Sequence, residues 1–173
     1  MNQDNSISSG QAKNTAPRSF ADHIVLALSS VFGLGYLPKA PGTFGTLAAI
    51  PLWYVMAHLS LWIFILITVG AIFIATLISQ HAERIYQTHD VRHIVIDEVV
   101  GLLVTVFGVP FALPEVITAF VVFRCLDMLK PPPIRWFDKN VSGGFGVVID
   151  DVIAGFVGCV LLHFARFVLG GWW

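Results

Sequence analysis

At 173 residues the chain has room for one domain and hardly for two. Its composition, 56% hydrophobic and 12% charged with a mean hydropathy of +0.78, is too apolar for an ordinary soluble domain. A formal net charge of −1 excludes the basic stripe that nucleic-acid binding requires, and the two cysteines, Cys125 and Cys159, are too few for a disulfide framework and read as packing residues.

Residues 1–19 are polar and rich in Ser, Asn and Gln, which predicts a disordered tail. No basic stretch leads into an apolar run there, so no signal peptide is expected. Residues 20–32 are expected to form a short amphipathic helix against a membrane surface. Four apolar stretches follow, at 47–57 (with Pro51), 61–79, 99–123 and 152–169. The second has about 19 residues without a charge, close to the ~20 that cross ~30 Å of hydrocarbon. Gly108-Val109-Pro110 and Pro114-Glu115 interrupt the third, and proline ends or kinks helices. His58-Leu59-Ser60 reads as a tight turn with Ser60 as N-cap of the next helix.

The expected fold class is therefore all-α: a small polytopic membrane protein of helical hairpins with an interfacial N-terminal helix, occupying residues 20–173. The helices at 45–57 and 99–109 are expected to be shorter than a full span. Two hairpins bring the polar segments 33–46, 80–98 and 124–151 to one side. Lys39, Arg84, Arg92, Arg124, Lys130, Arg135 and Lys139 lie in those segments, with Lys13 and Arg18 before them, while Arg166 lies at the far end of the last span. The positive-inside tendency makes the grouped side cytoplasmic.

The same segments hold the acids. Of 11 acidic residues, four lie between Asp127 and Asp151, and Asp97-Glu98 are adjacent. Charges at the edge of a membrane are costly unless they pair or hold a metal. Asp97-Glu98, directly before an apolar helix, either offset the helix dipole or bind a metal; the residues leave both open. Arg124 and Asp127 are three apart, on one helical face, and read as an ion pair; Lys130 before three prolines must leave the helix. Gly143-Gly144-Phe145-Gly146 reads as a flexible approach to the last helix. Asp150-Asp151, one turn before the last apolar run, are poorly explained as a solvated face and point to metal binding.

The segment from Gly33 to Thr46 is rich in glycine and opens a helix. It is either a surface turn or a phosphate cradle, with Lys39, Thr43 and Thr46 as donors, and it lacks the Gly-Lys-Ser/Thr ending of a Walker loop. Carboxylates without ordered His or Cys spacing favour Mg²⁺ over Zn²⁺. His81, His89 and His93 read as solvated loop residues, and Ser79 and Ser142 lack a nucleophile context.

Four stretches together are specific: residues 35–46 (Gly-Tyr-Leu-Pro-Lys-Ala-Pro-Gly-Thr-Phe-Gly-Thr), 96–101 (Ile-Asp-Glu-Val-Val-Gly), 123–134 (Phe-Arg-Cys-Leu-Asp-Met-Leu-Lys-Pro-Pro-Pro-Ile) and 143–155 (Gly-Gly-Phe-Gly-Val-Val-Ile-Asp-Asp-Val-Ile-Ala-Gly). In this order they resemble the phosphatidylglycerophosphatase A family of bacterial membrane enzymes, over about residues 22–170. Thr46 stands where many members have Ser. The resemblance implies a Mg²⁺-dependent phosphatase of the inner membrane, multi-pass and with its active site facing the cytoplasm. Its substrate would be phosphatidylglycerophosphate and its product phosphatidylglycerol. The family's acidic positions carry over onto Asp97, Glu98, Asp127, Asp138, Asp150 and Asp151, and its basic and hydroxyl positions onto Lys39, Thr43, Arg124 and Lys130.

On that basis Asp97, Asp127, Asp138, Asp150 and Asp151 are the expected metal ligands. Glu98 is expected as a ligand or general base, and Lys39, Thr43, Arg124 and Lys130 as phosphate contacts. Direct attack by water and an aspartyl-phosphate intermediate both stay open, although the Asp-x-Asp-x-Thr signature of haloacid-dehalogenase phosphatases does not occur. Two alternatives compete. A CDP-alcohol phosphotransferase would need an Asp-Gly-x-x-Ala-Arg core, which is missing; a divalent-cation transporter would favour acids near mid-membrane, whereas these lie at the ends of apolar runs.

Overall fold

The computed structural model describes residues 19–88 and 91–169, so the tail expected at 1–19, all but its last residue, and His89 lie outside the described residues. Among the described residues all regular structure is helical: α1 (Phe20–Ser29), α2 (Pro41–Met56), α3 (Leu61–Tyr86), α4 (Ile96–Thr105), α5 (Leu113–Leu129), α6 (Ile134–Asn140) and α7 (Gly143–Val168), with a 3₁₀ turn at Leu34–Tyr36.

Helices α3 and α7, each of 26 residues, are long and apolar enough to cross a membrane. At 1.5 Å per residue each extends about 39 Å, whereas the ten residues of α4 reach only about 15 Å. Much of α3 faces outward, with Trp62 80% and Leu66 73% exposed, the opposite of a soluble core helix. The turn before α3 falls where the sequence places it. Ser60 precedes the first helical residue, but its hydroxyl makes no cap bond; its carbonyl accepts the Phe64 N–H at 3.0 Å instead.

Two helices begin elsewhere than expected. α2 starts at Pro41 rather than near 45, because proline suits a first helical position and Ala40 supplies a left-handed turn before it. α7 starts at Gly143, so the glycine-rich stretch is its first turn rather than a loop, and Gln80 Oε1 of α3 accepts the Gly144 N–H at 3.1 Å. Asp150 and Asp151 consequently lie inside α7. The short α6, after the proline run, is an addition to the expected elements. Cys125 is exposed on α5 and therefore packs nothing, while Cys159 is half-buried. His93 is not a solvated histidine, since its ring lies 4.9 Å from that of Tyr36 and its Nδ1 is buried.

The core lies between α2, α4, α5 and α7, around Trp53, Leu102, Leu103, Phe123 and Ala154. α4 packs most closely on α7, and two glycines set that approach. A Cβ on Gly155 would collide with the Gly101 carbonyl oxygen, and one on Gly101 would lie 3.0 Å from the Asp151 carbonyl oxygen and 2.5 Å from the Phe123 ring. Bringing the backbones into contact sets the first turn of α4 beside the second turn of α7, the two places where the acids stand.

Candidate active site

Parts of the three polar segments meet at one end of the bundle around a cavity of about 400 Å³. Asp97 and Glu98 enter from the first turn of α4, Arg124 and Asp127 from the last turns of α5, Asp138 from α6, and Asp150 and Asp151 from α7. Lys130 comes from the residue that ends α5. That residue adopts a left-handed conformation (φ 42°), which terminates the helix before the prolines and turns the chain back across the cavity. Eight of the ten residues selected from the sequence thus line one cavity. Lys39 and Thr43 do not: Lys39 is exposed outside it, although the adjacent Ala40, Pro41 and Gly42 form part of the wall.

Two cations stand among these acids. Arg124 Nη1 donates to Asp127 Oδ2 at 2.6 Å and lies 3.9 Å from Glu98 Oε1. Lys130 Nζ donates to Asp150 Oδ2 at 2.7 Å and also to Asp138. Burial pulls the Lys130 ammonium down, but its bonds to Asp138 and Asp150 outweigh that and hold its pKa above the usual value.

The remaining carboxylate oxygens are not satisfied. Asp97, Glu98 and Asp151 each place an oxygen within 4.8 Å of the others'. Asp97 Oδ1, Glu98 Oε2, Asp150 Oδ1 and Asp151 Oδ2 are all buried without a hydrogen-bond partner. Each such atom costs on the order of 1–3 kcal/mol, more when charged. Burial, then repulsion from Glu98 and Asp151, pushes the Asp97 carboxyl well above the ordinary carboxylate range; burial raises Glu98 as well, against the pull of Asp97 and Arg124.

The charge of the lining sharpens the point. Six carboxylates face three cations, the third being Arg92, so the cavity is anionic by three when all are ionised. A surface of that sign repels a phosphate by itself. The orphaned oxygens, all hard donors with no sulfur or imidazole in the lining, fit a divalent cation such as Mg²⁺. The wall also includes the opening turn of α2. A Cβ on Gly42 would collide with Glu98 Oε1 and come within 3.1 Å of Arg124 Nη1, so only glycine lets the α2 backbone close over both side chains.

The family model described as Phosphatidylglycerophosphatase A matches residues 27–166. The chain belongs to the phosphatidylglycerophosphatase A family. It is similar to the Escherichia coli (strain K12) protein named phosphatidylglycerophosphatase A, 42% identical over 134 residues that cover 77% of this chain and 78% of that one. The Haemophilus influenzae protein of the same name is 35% identical over 133 residues, 76% of this chain and 82% of its own. A Bacteroides thetaiotaomicron protein named putative phosphatidylinositol-3-phosphatase is 34% identical over 146 residues, 80% of this chain and 91% of that one. No solved structure matches the chain. Membership of the phosphatidylglycerophosphatase A family makes the protein a phosphatase. The relatives carry two different lipid names, so the substrate must be argued from the cavity.

Arg92 is the lining residue that sequence reasoning missed as part of the site. It stands in the 87–95 connection with no motif around it, and only its positive charge had been counted. The pairing of Lys130 with Asp138 and Asp150 was equally invisible, because the partners lie 8 and 20 residues away.

Proposed function

We propose that this cavity hydrolyses the terminal phosphomonoester of phosphatidylglycerophosphate, yielding phosphatidylglycerol and inorganic phosphate, with Mg²⁺ held among Asp97, Glu98, Asp127 and Asp151. The observation that carries this reading is the set of buried, unpartnered carboxylate oxygens facing one cavity beside Arg124 and Lys130. A bound Mg²⁺ supplies charge neutralisation at the phosphate and lowers the pKa of a bound water.

The chain's own residues divide the remaining work. Arg124 and Lys130 donate to the non-bridging phosphate oxygens. Lys130 would exchange its bonds to Asp138 and Asp150 for the phosphate, and those two carboxylates, released from it, would help to hold a divalent cation. Glu98 or Asp97, whose burial raises its affinity for a proton, takes the proton from water. Water adds to phosphorus, the P–O bond to glycerol breaks, and the proton lost by water ends on the leaving hydroxyl. The first turn of α2 adds its helix N-terminus to the phosphate side of the cavity.

The setting is a membrane. α3 and α7 cross it, their exposed apolar faces meet lipid, and the cavity opens at the cytoplasmic boundary of the inner membrane, where the enzyme serves phospholipid biosynthesis. Purified protein in detergent is expected to release phosphate from phosphatidylglycerophosphate with Mg²⁺ and to stop on chelation. No release, or release unaffected by chelation, overturns the reading.

A further inference from the structure

Arg92 differs from the other two cations of the cavity in every respect that matters for ligand binding. Arg124 is largely buried and Lys130 half-buried, and both are already matched by carboxylates. Arg92 is exposed at the mouth, and its Nη2 donates to the Pro38 carbonyl at 2.7 Å. It has no carboxylate partner among the described residues. That bond ties Arg92 to the segment just ahead of α2, with the residue lining the cavity. Among the described residues the other donors of its planar fork have no partner and can meet an anion.

The substrate read above carries two phosphates, the monoester that is cleaved and a phosphodiester joining glycerol to the lipid. The deep cations sit with the acids and serve the first. We propose that Arg92 is a specificity-determining residue that pairs with the second, non-scissile phosphodiester; the assignment rests on the lipid-phosphatase reading. Such a contact distinguishes a lipid that carries both a diester and a monoester from one with a single phosphomonoester.

The test compares wild type with Arg92→Gln, which keeps a donor for the Pro38 carbonyl and loses the charge, and Arg92→Lys, which keeps the charge. Each is assayed in detergent with Mg²⁺ on phosphatidylglycerophosphate and on phosphatidic acid, which has the monoester and lacks the diester. Losing a charge-assisted bond lowers the kcat/KM ratio of the first lipid over the second by about ten- to a hundredfold in Arg92→Gln, through KM rather than kcat, with partial recovery in Arg92→Lys. Phosphatidylglycerol keeps the diester and lacks the monoester, so its inhibition constant rises by a similar factor in Arg92→Gln. An unchanged ratio with an unchanged inhibition constant, or a loss confined to kcat, overturns the assignment and leaves the phosphatase reading standing. A wild-type enzyme that releases phosphate from neither lipid overturns both.

Discussion

Helices α4 and α7 run side by side, and the two halves of their seam obey opposite rules. Away from the cavity, Leu102 and Leu103 of α4 and Val106 just after it share a dry core with Ala154 and Leu162 of α7, every one of them buried and apolar. Toward the cavity the same helices place Asp97 and Glu98 near Asp150 and Asp151, with buried oxygens that find no partner among the described residues. One half maximises stability and the other sacrifices it. Buried polar groups left unpaired are expected where a ligand completes them, and the difference between the halves marks where the chemistry lies.

The contrast can be broken from either side. Asp127→Asn or Asp151→Asn should lower phosphate release by about a hundred- to a thousandfold or more, the scale of losing one group that acts on the transition state. Asp151→Asn should also raise the metal-free unfolding temperature, since it relieves the crowding of buried carboxylates around an oxygen that has no partner among the described residues. Near-normal turnover in either variant removes that residue from the mechanism. Leu103→Ala, in the dry half, should behave oppositely, costing about 2–5 kcal/mol in unfolding while kcat of the folded enzyme stays near wild type. Gly155→Ala tests the hinge between the halves. Its methyl meets the Gly101 carbonyl, so a loss of about 1–3 kcal/mol is expected together with weaker metal binding as α7 is pushed from α4.

The smallest effect is a pH slope. Asp97 has a folded pKa above its unfolded one, so the folded state holds the extra proton between the two values. The stability this gives the metal-free protein is complete below the ordinary carboxylate range and is lost as pH rises through the raised value. Unfolding temperatures measured with chelator should fall over that window, and Mg²⁺ should flatten the fall by binding the ionised form. A slope of the opposite sign with chelator contradicts the burial of an unpaired acid there.

Much of the fold was legible because hydropathy and proline act locally. The turn at 58–60, the start of α3 and the break between α4 and α5 all follow from side chains adjacent in sequence. The starts of α2 and α7 were not, since Gly42 and Gly144 look like loop residues until the helices they pack against are known. The acids and Arg124 announced themselves as charges in an apolar chain. Their convergence on one cavity depends on the Gly101–Gly155 contact, a tertiary fact without a local signature. Lys39 and Thr43 show the reverse. Their motif is informative, but its Ala40, Pro41 and Gly42 line the cavity while these two residues do not.

The most direct measurement is the anomalous scattering of Mn²⁺, standing in for Mg²⁺, in crystals of the intact protein. Density enclosed by the carboxylates of Asp97, Glu98 and Asp151, and lost in Asp151→Asn, is the predicted result. Density elsewhere, or none at a concentration that sustains phosphate release, contradicts the metal centre on which the proposed hydrolysis depends.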